Sequence, residues 1–151
     1  MPEQLSSAKP FTALAFDYGL KHIGVAVGQN LTRTATPLAA LKASDGVPNW
    51  DSIAALIGEW QPQQLIIGLP LNMDGSHSEL SQRAEKFARR LHGRFKVPVQ
   101  LADERLSSFE ARGEIIQRSG SRNFRDHGVD SLSAVIILES WFRQQSPHGT
   151  P

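Results

Sequence analysis

Residues 65–70 read Leu-Ile-Ile-Gly-Leu-Pro, and this stretch decides the fold. The run from Leu65 to Leu69 is apolar without interruption, and Gln64 and Pro70 bound it. A strand with one solvent-facing side would alternate apolar and polar residues, so this run is typical of a strand buried on both faces, as in a parallel sheet. We therefore expect it to lie at the centre of a sheet that helices cover on both faces.

The segment before this run predicts an antiparallel meander. Thr12 to Asp17 and Ile23 to Val27 have the composition of two strands, and the turn between them contains a glycine. Thr32 to Leu41 is rich in Thr and Ala and predicts a weaker third strand.

The rest of the chain alternates helix and strand signals. Capping residues, apolar positions repeating every 3.6 residues and short apolar runs mark these elements. The sequence predicts a helix capped by Asn49 or Asp51 and ended by Pro62, a helix with the capping box Ser76 and Glu79, a strand at Val97 to Ala102, a helix with the capping box Ser107 and Glu110 that ends near Gly120, and a mostly buried helix from Asp130 to about Phe142. The expected fold is α/β, with a mixed central sheet of a three-stranded antiparallel meander plus two parallel strands, and helices on both faces.

Length and composition bound the class of protein. With 151 residues, 40% of them hydrophobic and 21% charged, the chain suits one domain, with residues 11–143 ordered and the tails 1–10 and 144–151 flexible. Because there is no cysteine, disulfides and thiolate metal sites are excluded, and a reducing, cytoplasmic location is expected. No apolar run approaches the roughly 18 to 20 residues of a membrane span, so no membrane partner is expected.

Charge is unevenly distributed along the chain. Between Arg83 and Arg125 there are eleven Lys and Arg residues against five Asp and Glu, a local net charge of +6, whereas the remainder sums to −5. This asymmetry indicates a surface that faces a polyanion such as structured nucleic acid. The alternative is a solvated surface that happens to be basic.

Acidic residues follow two of the predicted strands. Asp17 ends the first strand, and Asp103 and Glu104 end the last one. Ligand crevices in open α/β sheets lie at the carboxyl ends of strands, so both places point to one site. Side chains alternate along a strand, so Asp103 and Glu104 point to opposite faces, and spacing alone does not choose between them. Asp130, before the last helix, is a further candidate.

Carboxylates gathered from distant segments repel one another unless cations neutralise them, which implies a metal. Ligands that offer only oxygen suit Mg²⁺ or Mn²⁺, and two such ions can activate a water and stabilise the leaving oxygen in phosphodiester hydrolysis. The five histidines show no zinc-like spacing. The competing interpretations are that Asp17 forms a turn before Gly19 and that Asp130 only caps a helix.

Four motifs in order resemble the YqgF family over about residues 13–142. They are Phe16-Asp17-Tyr18-Gly19 with Ile23-Gly24-Val25-Ala26, then Gly68-Leu69-Pro70-Leu71-Asn72-Met73-Asp74-Gly75, then Asp103-Glu104-Arg105-Leu106-Ser107, then Val129-Asp130-Ser131 leading into Ala134-Val135-Ile136-Ile137-Leu138.

The resemblance implies an RNase H-like fold related to the Holliday junction resolvases, and a nuclease that trims the 5′ end of pre-16S ribosomal RNA in ribosomal particles. It also implies an acidic, metal-binding triad of Asp17, Glu104 and Asp130. True junction resolvases carry a fourth acid on the central strand, where this chain has only Leu65-Ile66-Ile67-Gly68, so RNA processing is favoured over junction cleavage. Nothing in the sequence indicates a dimer interface, and a monomer is expected.

Basic and polar residues near these motifs are candidates for nucleic-acid contacts. The loop containing Gly68, Pro70, Asn72 and Gly75 could hold a phosphate or could simply make a tight turn. A basic loop with Arg118, Arg122, Arg125 and His127 precedes Asp130 and could cover the cleft. The candidates for nucleic-acid binding are Lys21, Asn72, Arg83, Arg90, Arg94, Arg105, Arg122 and Arg125.

Two other classes of protein compete with a nuclease. The Asp17-x-Gly19 hairpin also resembles the phosphate loop of sugar kinases and actin-like ATPases, but those need a second, duplicated half for which 151 residues leave no room. A non-catalytic RNA-binding factor in ribosome assembly would use the same basic surface, and its acids would serve turns and caps.

Overall fold

The computed structural model describes residues 9–104 and 131–145. Within these ranges, six strands form one mixed sheet, and three helices pack against it. The elements are β1 (Thr12–Asp17), β2 (His22–Gln29), β3 (Thr34–Ser44), β4 (Val47–Pro48), α1 (Trp50–Trp60), β5 (Gln64–Leu69), α2 (Glu79–Phe95), β6 (Val99–Asp103) and α3 (131–144).

The sheet has the strand order β4-β3-β2-β1-β5-β6. β1 to β4 are antiparallel neighbours, whereas β1, β5 and β6 run parallel. The predicted meander and the two parallel strands are therefore confirmed. β5 is buried on both faces as expected, but its expected place at the centre is wrong: β2 and β1 occupy the middle, because β3 and β4 extend the sheet on the other side.

The two faces of the sheet have separate cores. Leu14, Phe16 and Ile67 point toward α1 and α2, where they pack in one cluster with Phe87 and Leu91. The alternate residues on the same strands point toward α3. They form a second cluster whose members are Ala13, Ala15, Ile66, Ile137, Leu138, Trp141 and Phe142. The prediction of a mostly buried last helix is confirmed for residues 131–142.

The start of α1 agrees with one of the two predicted caps. Asn49 is the N-cap, and its side chain accepts a hydrogen bond from the backbone N–H of Asp51 at 2.9 Å. The helix ends at Trp60, and its C-cap Gln61 is left-handed with φ +46°, directly before Pro62.

The predicted capping box of α2 is wrong by two residues. Ser78 is the N-cap, its hydroxyl accepts from Ser81 N at 3.1 Å, and its own N–H donates to Ser81 Oγ at 2.8 Å. Ser76 is not available as a cap because its N–H and hydroxyl both donate to Asp74 Oδ1, at 2.9 and 2.6 Å. A local turn thus takes the serine that the sequence pattern assigned to the helix.

Three further differences concern strands. β3 extends to Ser44, beyond the predicted Leu41, and β4 was not predicted. Gly68 lies inside β5, as the predicted strand Leu65 to Leu69 requires, and not in the following loop with which it was grouped as a candidate phosphate contact. The predicted helix with the Ser107 and Glu110 box, and the basic loop after it, lie outside the described residues. None of the described helices is long and apolar enough to cross a membrane.

Candidate active site

Asp17 is the last residue of β1, and its side chain is half-buried. Phe16 pairs with Ile67 of β5, so Asp17 and Gly68 occupy the next positions along two neighbouring parallel strands. Because Ala15 and Ile66 face α3, alternation directs Asp17 and Gly68 to that same face. Asp17 therefore stands beside a strand position that has no side chain.

The carboxylate of Glu104 lies over Gly68. A Cβ placed at Gly68 would lie 2.7 Å from Glu104 Oε2 and 2.5 Å from Ile137 Cδ1. Glycine is needed here for close approach, since a side chain would displace the carboxylate, the isoleucine or both. Neighbouring strands are about 4.8 Å apart, so the Glu104 carboxylate lies at the sheet end where Asp17 is located.

The two acids at the end of β6 point to different faces. Ala102 packs against the α3 cluster, and Asp103 pairs with Leu69, which belongs to the α1 and α2 cluster. Asp103 is therefore directed away from α3, and Glu104 is directed toward it. The choice that strand spacing left open is resolved in space, with Glu104 on the face of Asp17.

The start of α3 is fixed to the sheet by a buried serine. Ser131 Oγ accepts a hydrogen bond from Val25 N at 3.3 Å and donates one to the carbonyl of Leu38. Val25 and Leu38 are cross-strand partners beside an irregularity in the β2–β3 register, and the hydroxyl bridges them there. Gly24, the residue before Val25, pairs with Asp17. The first residue of the described helix is thus held one strand away from Asp17.

A second polar contact holds the middle of α3 against β3. Glu139 is buried and accepts a hydrogen bond from Ala35 N at 2.7 Å. From the sequence, Ser131 was named only as part of the motif Val129-Asp130-Ser131, without a role of its own, and Glu139 was not named. The signal was present, since a serine and a glutamate inside a helix that is otherwise apolar nearly all round need buried partners.

Several predicted site residues lie outside the described part of the chain. These are Arg105, Arg122, Arg125 and the third acid, Asp130. Within residues 9–104 and 131–145, no three Asp, Glu or His side chains gather into a group that could hold a metal ion. The described site accordingly contains two of the three predicted carboxylates.

Lys21 and Asn72 are both exposed. Lys21 lies in the turn between β1 and β2, where its backbone carbonyl accepts from Ala43 N. Asn72 follows β5, and its side-chain amide donates to Ser76 Oγ at 3.0 Å. The amide of Asn72 therefore helps to shape its own loop.

Arg83, Arg90 and Arg94 lie on α2, on the opposite face of the sheet from Glu104. The structure does not bring them together with the carboxylates. The guanidinium of Arg94 stacks over the ring of Trp50, 4.2 Å from its centroid, which is a cation–π contact. This contact was not predictable from the sequence because its two partners are far apart in the chain.

The strand order and the mixture of antiparallel and parallel pairs define an RNase H-like fold, in which Asp17 at the end of β1 and Glu104 after β6 lie on either side of the end of β5. Solved structures with this fold include Thermus thermophilus RuvC in complex with a Holliday junction substrate, with TM-score 0.54 and 13% identity over 89% of this chain and 95% of that one. The fowlpox virus Holliday junction resolvase gives a TM-score of 0.55 and 16% identity over 89% and 99% of the two chains. At these identities the likeness concerns the fold alone.

The chain belongs to the RuvX family, whose model, described as "Holliday junction resolvase", matches residues 11–144. Among its relatives, a protein of Escherichia coli O1:K1 / APEC is 59% identical over 133 residues, which is 88% of this chain and 96% of that protein. One of Glaesserella parasuis is 56% identical over 135 residues, 89% and 98% of the two chains. Both carry the name "Putative pre-16S rRNA nuclease". The resemblance to the YqgF family is confirmed, and the chain is a nuclease, a hydrolase acting on phosphodiester bonds.

Proposed function

We propose that this protein is a divalent-metal-dependent nuclease that acts in 5′-end maturation of pre-16S ribosomal RNA, with Asp17, Glu104 and Asp130 as its catalytic acids. The observation that carries this proposal is the carboxylate of Glu104, which lies over Gly68 beside the strand end that bears Asp17. Two carboxylates from segments far apart in the chain thus converge on one end of the sheet. Carboxylates that converge in this way repel one another unless a cation neutralises them, and a bound cation turns them into a metal site.

Asp130 is included among the catalytic acids because of the position of Ser131, the next residue in the chain. Ser131 bridges Val25 and Leu38, and Val25 follows the residue that pairs with Asp17. Asp130 directly precedes Ser131 in the sequence. The fixed position of Ser131 supports a third carboxylate at the same site.

The donors fit Mg²⁺ or Mn²⁺, since carboxylate oxygens are the ligands that these ions prefer. Both described carboxylates are half-buried, so they are within reach of solvent and substrate. When bound, the metal would activate a water for attack on phosphorus and offset the charge of the leaving oxygen.

The chain itself positions the carboxylates. Gly68 leaves room for Glu104, Ile137 limits the space on the side of α3, and Ser131 fixes the start of that helix. Such preorganisation places the acidic oxygens before substrate binds.

Ribosomal RNA is the substrate that the observations favour. The relatives that cover nearly the whole chain carry the name of an rRNA nuclease. In β5, the positions on the face of α3 are Gln64, Ile66 and Gly68, so the parallel strand beside Asp17 contributes no acid of its own. Precursor RNA in ribosomal particles would place the protein in the bacterial cytoplasm.

One assay compares the candidate substrates. Purified protein is incubated with Mg²⁺ or Mn²⁺ and precursor 16S rRNA, both free and in ribosomal particles, in parallel with a four-way DNA junction. We expect metal-dependent shortening of the RNA at its 5′ end and no cleavage by the Asp17→Asn variant. Cleavage of the junction with intact RNA would instead assign a resolvase-like DNA nuclease. RNA binding without any cleavage would assign an assembly factor.

A further inference from the structure

A cavity of about 240 Å³ lies on the face of the sheet opposite Glu104, between α2 and the β3–β4 turn. Its volume is well above the ~30 Å³ that one water occupies in the liquid, so it can admit a ligand group. Tyr18, Trp50 and Phe87 provide its aromatic wall, and Arg83, Lys86 and Arg90 provide its charge. Tyr18 directly follows Asp17 in the chain, so the cavity begins one residue from the candidate active site.

The three rings of the aromatic wall pack against one another. Tyr18 and Phe87 have ring centroids 5.1 Å apart, and Trp50 stacks on Phe87 at 5.9 Å. The hydroxyl of Tyr18 is buried and donates to the carbonyl of Gly46 at 2.9 Å. Gly46 has φ +82°, and a Cβ at this position would collide with that hydroxyl, so glycine is required for the turn to close on the tyrosine.

The charges along the cavity are unbalanced. Arg83 Nη1 lies 3.3 Å from the carbonyl oxygen of Asp45 and 3.4 Å from its Oδ1, which attaches the turn to α2. Asp45 is the only acid among the lining residues, and Arg83 already contacts it. Lys86 and Arg90 are exposed and form no ion pair with any residue in the described ranges. Two cations therefore remain for an anionic ligand.

The regular spacing of the cations aligns them with the axis of α2. Arg83, Lys86 and Arg90 recur at intervals of three and four residues and so lie in one row along α2. A row of cations beside an aromatic wall suits a chain of phosphates, because a polyanion can meet successive positive charges.

We propose that this cavity is a phosphate-binding subsite for the nucleic-acid strand, outside the catalytic carboxylates, in which Lys86 and Arg90 contact backbone phosphates. This proposal of a subsite rests on the proposed function only in taking nucleic acid as the ligand. The subsite anchors the strand on the α2 face, while the scissile bond lies at Asp17 and Glu104. Lys86 and Arg90 are binding and positioning residues, and they are remote from the reacting atoms.

The test measures RNA affinity across a range of salt concentrations. A labelled single-stranded RNA is titrated in EDTA with protein carrying Asp17→Asn, so that no cleavage interferes. Lys86→Gln/Arg90→Gln is compared with Arg89→Gln/Arg143→Gln, which removes two exposed arginines that do not line the cavity. Glutamine keeps a high helix propensity at all four positions, and equal melting temperatures verify folding.

We expect the cavity variant to flatten the slope of log affinity against log salt by about 1.4 units, since each lost single-strand phosphate contact removes about 0.7. The control should move the slope far less. Inorganic phosphate should compete only weakly, because it engages one contact at a time. Equal slopes in the two variants would overturn the proposal. Equal binding of polyglutamate, with the same loss in the cavity variant, would also overturn it, because the surface would then be a general anion surface.

The binding test of the subsite and the cleavage test of the proposed function can fail independently of each other. If the wild-type protein cleaves no substrate yet the slope falls only in the cavity variant, the subsite stands and the nuclease proposal fails. If RNA is cleaved but the cavity variant binds like the control, the subsite fails and the nuclease proposal stands.

Discussion

The carboxylate of Glu104 occupies the space that a side chain at Gly68 would fill, with Oε2 only 2.7 Å from the position of the missing Cβ. Asp17 lies at the next strand end on the same face. A glycine inside a buried strand normally weakens the strand, so its presence at this point is explained by the acid that lies over it.

Gly68→Ala should impair cleavage far more than stability. The added methyl group must displace the Glu104 carboxylate and Ile137, and overpacking of this kind costs about 1 to 3 kcal/mol of folding free energy. Displacement of a catalytic group by about 1 Å can cost on the order of 100-fold in rate. The cleavage rate and the free energy of unfolding are measured together.

The matched control is Gly58→Ala in α1, where a new Cβ meets nothing within 4 Å. This change should leave cleavage intact and raise stability by up to about 1 kcal/mol, because alanine favours helix. A folded Gly68→Ala protein that cleaves at the wild-type rate would show that the position of Glu104 does not matter.

Glu104→Gln and Asp103→Asn should have opposite consequences although the residues are adjacent. Glu104 faces the Asp17 side of the sheet, whereas Asp103 faces away from it. We expect Glu104→Gln to lose at least about 100-fold in cleavage, since even residues that only support metal ligands are worth roughly 10- to 100-fold. Asp103→Asn should stay within a few-fold of wild type. The cleavage rates of the two variants are measured at saturating Mn²⁺. A larger loss of rate in Asp103→Asn than in Glu104→Gln would refute the assignment of Glu104.

Ser131→Ala should destabilise the fold. Removal of the hydroxyl leaves the buried N–H of Val25 and the carbonyl of Leu38 without this bridge, and an unsatisfied buried group costs about 1 to 3 kcal/mol. Ser44→Ala, at an exposed position of β3, should change the unfolding free energy by less than about 0.5 kcal/mol. Urea denaturation of both variants gives the comparison. If they proved equally stable, the hydroxyl would not be fixing the start of α3.

Arg94→Ala should weaken the packing of α1 on α2 and leave RNA binding largely unchanged. The guanidinium stacks on Trp50, and such a contact is worth about 0.5 to 1 kcal/mol at an exposed site. Arg90→Ala should do the opposite, with weaker RNA binding and almost unchanged stability. Melting curves and RNA titrations on the two variants separate the roles. If RNA affinity fell equally in the Arg94→Ala and Arg90→Ala variants, Arg94 would be a nucleic-acid-binding residue as well.

The parts of the fold that depend on short-range patterns were predictable from the sequence. The apolar run at Leu65 to Leu69 gave a strand buried on both faces, and the hairpin and the apolar last helix followed from periodicity. The choice of helix cap at Ser78 was missed because Asp74 competes for Ser76 through a local turn.

The site was predictable only in part, for a physical reason. Strand alternation showed that Asp103 and Glu104 must face opposite ways, but which one shares a face with Asp17 depends on the pairing of β5 with β6. The requirement for glycine at position 68 and the bridge made by Ser131 likewise arise from contacts between distant segments. Local sequence carries no signal for such contacts beyond an unexpected small or polar residue.

The most direct test of the account is a Mn²⁺ titration of RNA cleavage by the wild-type protein and by Asp17→Asn, Glu104→Gln and Asp103→Asn. We predict cleavage that requires metal, that is retained in Asp103→Asn and that falls at least about 100-fold in the other two variants. Cleavage in EDTA, or by Asp17→Asn at the wild-type rate, would contradict the central claim that these carboxylates hold a catalytic cation.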